Sequence, residues 1–312
     1  MKLTVDAKGV FIISATPFTD AGAIDFDSAD RLVEFYLDKG VTGMTILGMM
    51  GEAPKLSGEE STAFLSHMLE RVAGRVPVIV GVSSPGIDNL AQLSHTAMDH
   101  GAAGVMVAPM RGLATEEKLY GYFAQVFEAL GPDVPVCYQD FPLSTGVSIS
   151  ATLFNRLVQD FEQLVMLKHE DWPGLNKLTA VRSAASDTGA RRVSILCGNG
   201  GLFLPEEMIR SADGAMTGFA FPEMLVGVVE LCNAGKVDAA SDLFNAYLPL
   251  IRLEQQPGAG LAIRKEILKR RGAISSAATR RPGPALTAED RRDLDRLLDR
   301  LDTHLKDMAH GS

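Results

Sequence analysis

The chain has 312 residues, enough for one large α/β domain with a substantial core or for two smaller ones. With 46% hydrophobic and 22% charged residues it has the make-up of an ordinary globular protein, which excludes a disordered chain. A formal net charge of −9 argues against general binding to nucleic acid or to an anionic membrane, so an anionic substrate would need a local site that attracts it.

Along the chain one pattern recurs. A short run rich in Val, Ile, Met and Leu is followed by a polar or Gly/Pro break and then by a longer amphipathic segment. The runs are VFIISATPF (10–18), TGMTILG (42–48), VPVIVGVS (76–83), GVMVAP (104–109), VPVCYQD (134–140), LVMLKHE (164–170), VSILCGN (193–199) and GAMTGFA (214–220). Continuous apolar runs of this length suit strands buried on both faces of a parallel sheet. Among the intervening segments, 25–40 groups Leu32, Val33, Phe35, Tyr36 and Leu37 near one side and stops at Gly40. Segment 57–74 opens on Ser57 with Glu60 three residues later, a capping box, and closes on Gly74. Segments 88–101 and 115–131 are similar. After residue 222 the strand signal stops, and four helix-like segments follow, the last behind a Pro-rich connector, AATRRPGPAL.

Alternating strands and helices predict right-handed βαβ units. The expected fold is α/β: a (β/α)₈ TIM barrel over 1–222, its last helix at about 223–234, with an additional C-terminal helical region over 235–312. An open doubly wound sheet is the alternative, but no G-x-G-x-x-G follows the first strand. Cys137, Cys197 and Cys232 are too few and too scattered for a disulfide framework or a structural zinc site. No run reaches the apolar length that spans a bilayer, and the first residues lack a cleavage pattern, so the expected location is the cytoplasm.

In such a barrel, function gathers where the strands end at their C-terminal side. Lys168 closes the sixth run. Apolar surroundings favour the neutral form of a lysine, and a neutral amine can attack a ketone to form a Schiff base that labilises the adjacent carbon. The other reading is a lysine that snorkels to solvent. Tyr138 closes the fifth run, where its phenol could pass protons to a substrate; alternatively it is a half-buried aromatic with its hydroxyl at the rim. Gly48-Met49-Met50-Gly51 follows the second run. Its backbone N–H groups could hold a carboxylate, or the glycines could serve only the turn. Gly198-Asn199-Gly200-Gly201, after the seventh run, would let a substrate lie close to the backbone. Six scattered histidines, of which His169 alone stands at a strand end, give no basis for a metal hydrolase, and neither metal nor cofactor is expected.

Taken together, these residues resemble the dihydrodipicolinate synthase/N-acetylneuraminate lyase family of Schiff-base aldolases and dehydratases. The resemblance runs from Gly9 to the C-terminal helices and is carried by TPF at 16–18, G-x-x-G-E at 48–52, Y-x-x-x-P at 138–142 with Gly146 after it, Lys168 thirty residues beyond Tyr138, the Gly-rich seventh strand end and GAMTG at 214–218. It implies that Lys168 forms the imine, that Tyr138 handles protons, and that the N–H groups of Met49 and Met50 hold the carboxylate of a 2-keto acid. Thr16, Gly51, Gly198, Gly200 and Thr217 would complete the substrate site. Family members are commonly homotetramers, so a homo-oligomer, tetramer or dimer, is expected, with no nucleic-acid or membrane partner.

The chain also departs from the family pattern. The usual turn carries hydroxyl residues where this chain has Met49 and Met50, a P-Y-Y motif is replaced by Pro109-Met110-Arg111, and an arginine that grips the aldehyde partner is replaced by Leu143 and Ser144. The layout better resembles the branch that dehydrates 2-keto-3-deoxy sugar acids, through QD after strand 5, K-x-E-x-x-P-G after strand 6 and YLPLIRLEQQ near the C-terminus. Pyruvate or such a sugar acid is the expected substrate, for aldol cleavage, condensation or dehydration. The alternatives are a 4-hydroxy-tetrahydrodipicolinate synthase and a barrel that binds a 2-keto acid without turnover.

Overall fold

A computed structural model of the protein describes residues 1–189 and 191–310. Residues 311 and 312, the end of the expected C-terminal region, lie outside the described residues.

Each of the eight apolar runs contains a strand: β1 Gly9–Ile13, β2 Gly43–Ile46, β3 Val78–Gly81, β4 Gly104–Val107, β5 Val136–Asp140, β6 Leu164–His169, β7 Ser194–Cys197 and β8 Gly214–Ala215. They pair in parallel, in sequence order, and β8 closes on β1, so the sheet is a barrel without edges. Between them run α1 Phe26–Asp38, α2 Gly58–Val72, α3 Ile87–Asp99, α4 Glu116–Leu130, α5 Pro142–Thr145, α6 Ala151–Asp160, α7 Gly174–Thr188 and α8 Leu204–Ile209. After the barrel come α9 Pro222–Asn233, α10 Val237–Glu254, α11 Gly260–Arg270 and α12 Ala288–His310.

The helix starts follow local chemistry. Ser57 caps α2 by accepting the Glu60 N–H, and the Glu60 carboxylate accepts the Ser57 N–H at 2.9 Å in return. Asp25, Thr115 and Ser150 cap α1, α4 and α6 from one side, accepting the N–H of Ser28, Lys118 and Leu153.

Strand residues alternate between two apolar cores. Phe11, Ile13, Ile79, Met106, Cys137, Met166 and Leu196 fill the barrel interior. Val10, Ile12, Val105, Val107, Val136, Tyr138, Leu167 and Ile195 face the surrounding helices. The pairing of β5 with β6 slips by one residue between Val136 and Cys137, after which Tyr138 lies beside Leu167 and Gln139 beside Lys168. That register decides which side chains reach the mouth of the barrel. α10 packs along α8 and α9, and α11 and α12 pack on α10. No helix is long and apolar enough to cross a membrane among the described residues.

Candidate active site

The last two residues of β6 and the one that follows alternate in direction. Lys168 points inward, His169 outward and Glu170 inward again. Lys168 is only 5% exposed, and its ammonium nitrogen lies 2.9 Å from Glu170 Oε2. The same oxygen accepts from Gln139 Nε2 at 2.9 Å, and Asn199 Nδ2 donates to the Glu170 carbonyl at 3.0 Å. The amine is therefore not isolated in apolar surroundings. It sits against the Glu170 carboxylate, while the floor beneath includes the buried Cys137, whose thiol burial pushes up to about 12.

His169 turns its back on the site. Its Nε2 donates to the Gly174 carbonyl at 2.9 Å, and its Nδ1 is 3.8 Å from Asp140, which is paired with Lys177 at 2.6 Å. Burial alone would lower the pKa of His169, but Asp140 and the Gly174 carbonyl outweigh it and raise it. These contacts anchor the outer side of the strand whose inner side carries Lys168.

Lys168 and Glu170 line a cavity of about 400 Å³ together with Ile13, Met49, Met50 and Phe141. Gly200 and Thr217 contribute to the same wall. A neighbouring cavity of about 520 Å³ shares Met49 and Phe141 and is lined by Gln139 and by Arg111, which donates to the Ser144 carbonyl at 2.8 Å.

Met49 and Met50, in the turn after β2, line this space. Leu47 and Glu52, at the two ends of the turn, both adopt left-handed backbone with φ near 53°. Among the described residues no acceptor meets the N–H of Met49 or Met50. Thr16 and Gly51 serve the turn rather than the cavity: Thr16 Oγ1 donates to the Gly51 carbonyl at 2.7 Å, and both are buried beneath it. Glu52 ties the turn to the C-terminal helices, accepting from Lys265 at 2.7 Å, Lys55 at 2.9 Å and the Arg280 N–H at 3.0 Å. Gly198 does not line the cavity either. A Cβ there would overlap the Glu170 side chain, so the glycine is what lets Glu170 lie against β7.

Tyr138 is a correction. It is fully buried on the helix side of β5, its ring 4.6 Å from that of Phe123 and 5.9 Å from the edge-on Phe154, and its hydroxyl has no hydrogen-bond partner among the described residues. Burial holds its phenol well above the usual tyrosine range. The position beside Lys168 belongs to Gln139. The alternation itself signals this, since Cys137 and Gln139 share a face that Tyr138 cannot share. Sequence reasoning also assigned no role to Glu170, although it stands at the strand end, nor to Arg264 and Glu254, which reach the cavity from α11 and α10.

Among the described residues no three His, Cys, Asp or Glu side chains converge in a way that could hold a metal ion.

The sequence profile described as the dihydrodipicolinate synthetase family matches residues 6–301. L-2-keto-3-deoxyarabonate dehydratase of Azospirillum brasilense is 32% identical over 313 aligned positions, covering 97% of both chains. A 4-hydroxy-tetrahydrodipicolinate synthase of Methanococcus maripaludis is 27% identical over 249 positions, 79% of this chain and 82% of its own. Among solved structures, a dihydrodipicolinate synthase from Rhodopseudomonas palustris superposes with a TM-score of 0.94 at 51% identity, covering 96% of this chain and 99% of the other. With a match that spans barrel and C-terminal helices alike, the chain belongs to the dihydrodipicolinate synthetase family and is a class I, Schiff-base lyase of that family.

Proposed function

We propose that this lyase dehydrates a 2-keto-3-deoxy sugar acid through an imine on Lys168, with Glu170 carrying the protons. The observation that supports this most is the 2.9 Å contact between the two side chains inside a cavity that has no phenol. The Azospirillum relative, a dehydratase of such an acid by name, supports the same substrate class.

Glu170 takes the proton that the ammonium must lose before its nitrogen can attack. The N–C2 bond forms, and the C2 oxygen leaves as water with one proton from the nitrogen and the one that Glu170 returns, so that Glu170 is a carboxylate again. The N–H groups of Met49 and Met50 hold the C1 carboxylate, as oriented backbone donors do for anions. The protonated imine draws electrons from C3, and the C3 proton passes to Glu170. The resulting enamine expels the C4 hydroxyl, which takes that proton and departs as water. Hydrolysis of the unsaturated imine restores the amine and frees the product. Gln139 holds Glu170 in place throughout.

The condensing synthase is the second reading, favoured by the name of the Rhodopseudomonas structure. Met49 and Met50 in place of hydroxyls, and Tyr138 on the far side of β5, weigh against it. A panel of 2-keto-3-deoxy acids assayed in EDTA tests the choice. Loss of one water from substrate is expected. Release of pyruvate and an aldehyde, or condensation of pyruvate with an aldehyde and no dehydration, would overturn it. The assembly we infer is a homo-oligomer, with the half-exposed Trp172–Phe203 pair as apolar surface for it, and the location we infer is the cytoplasm, where its free thiols are stable.

A further inference from the structure

α10 ends at Glu254 and α11 begins at Gly260. A Cβ at residue 260 would overlap the Glu254 carbonyl oxygen, so glycine is required for α11 to start this close to α10. The tight return sets two neighbours on α11 against the turn after β2. Lys265 grips Glu52 at the end of that turn, and Arg264 reaches over Met50 into the cavity.

Arg264 is only 6% exposed. Its Nε donates to Glu254 Oε2 at 2.7 Å, and Glu254 Oε1 accepts the Ala220 N–H at 3.4 Å, which fixes one edge of the guanidinium. The other edge meets no oxygen among the described residues. Nη1 rests on Met50 Sδ, and a thioether is a weak acceptor. That edge borders the cavity that contains Lys168, where a ligand can reach it. A carboxylate supplies what is missing: two oxygens in a plane, matched to the guanidinium fork. Lys168 cannot serve as the fixed cation, because it gives up its proton to react.

Resting on the imine reading above, we propose that Arg264 clamps the C1 carboxylate of the keto acid together with the N–H groups of Met49 and Met50. It supplies from α11 the side-chain donors that two methionines cannot give from the turn. Arg264 is then a residue that selects 2-keto acids over neutral ketones.

Reductive trapping with cyanoborohydride tests this, with pyruvate and with methyl pyruvate, which lacks the charge. The proteins are wild type, Arg264→Lys, Arg264→Met and the double variant Arg264→Met/Glu254→Met, which leaves no buried carboxylate unpaired. The half-saturating pyruvate concentration should rise roughly 10- to 100-fold in the methionine variants and less in Arg264→Lys. Methyl pyruvate should stay within about twofold, so that the preference for the acid collapses. Equal weakening of both ketones, or unchanged pyruvate trapping in folded variants, would each overturn the clamp. Wild-type protein that traps no pyruvate would instead defeat the imine on Lys168, and the clamp with it.

Discussion

Tyr138 and Gln139 are one position apart and on opposite sides of the barrel wall. Side chains on a strand alternate faces, so the residue that meets Lys168 is decided by register, not by residue type. The slip between β5 and β6 puts Gln139 beside Lys168 and leaves Tyr138 beside Leu167. An unpaired phenol hydroxyl among Phe123 and Phe154 lies across the barrel wall from Lys168 and carries a desolvation cost. Tyr138→Phe should therefore leave kcat unchanged and hold or raise stability by up to about 1 kcal/mol in urea unfolding. A fall in kcat of about tenfold or more would show that the phenol takes part after all. In the sequence the phenol of Tyr138 stands out by its proton chemistry, whereas Gln139 is marked only by the parity it shares with Cys137.

At the scale of elements, the turn after β2 and α11 form one unit. Lys265 is fully buried, with its Nζ 2.7 Å from Glu52 and 4.3 Å from the centre of the Phe18 ring. Burial lowers its pKa, opposed by the Glu52 carboxylate. Removing one partner of such a pair leaves a buried charge with weaker compensation, so Lys265→Met should cost about 3 kcal/mol in thermal or urea unfolding. It should also raise the half-saturating pyruvate concentration, since the turn loses its tie to α11. Lys269→Met, on the exposed side of the same helix, should change neither by a measurable amount. Identical stability in the two variants would contradict this account of the brace. The elements themselves were legible: the Ser57–Glu60 capping box and the apolar runs with their Gly stops are local signals, and local chemistry forms them. The return of α11 over the turn was not legible. It depends on contacts more than two hundred residues apart, such as Arg264 with Met50 and Lys265 with Glu52, and nothing near residue 264 announces a site.

For the molecule as a whole, the closed barrel follows from eight apolar runs that must be buried on both faces, and its strand ends gather residues from every part of the chain into one mouth. That is why Lys168, Met49, Met50, Gly200 and Thr217 could be named from sequence and are found around one cavity. The net charge of −9 disfavours a small acid, and because Lys168 and Arg264 are each balanced by a carboxylate, the cavity offsets this through directed donors rather than through net positive charge. The account rests on the nitrogen of Lys168, and intact-mass and peptide mass spectrometry after pyruvate and cyanoborohydride tests it most directly. Wild type should gain one reduced pyruvate per chain, on Lys168, and folded Lys168→Ala should gain none. An adduct of equal yield in Lys168→Ala, or one on another lysine in wild type, would contradict it.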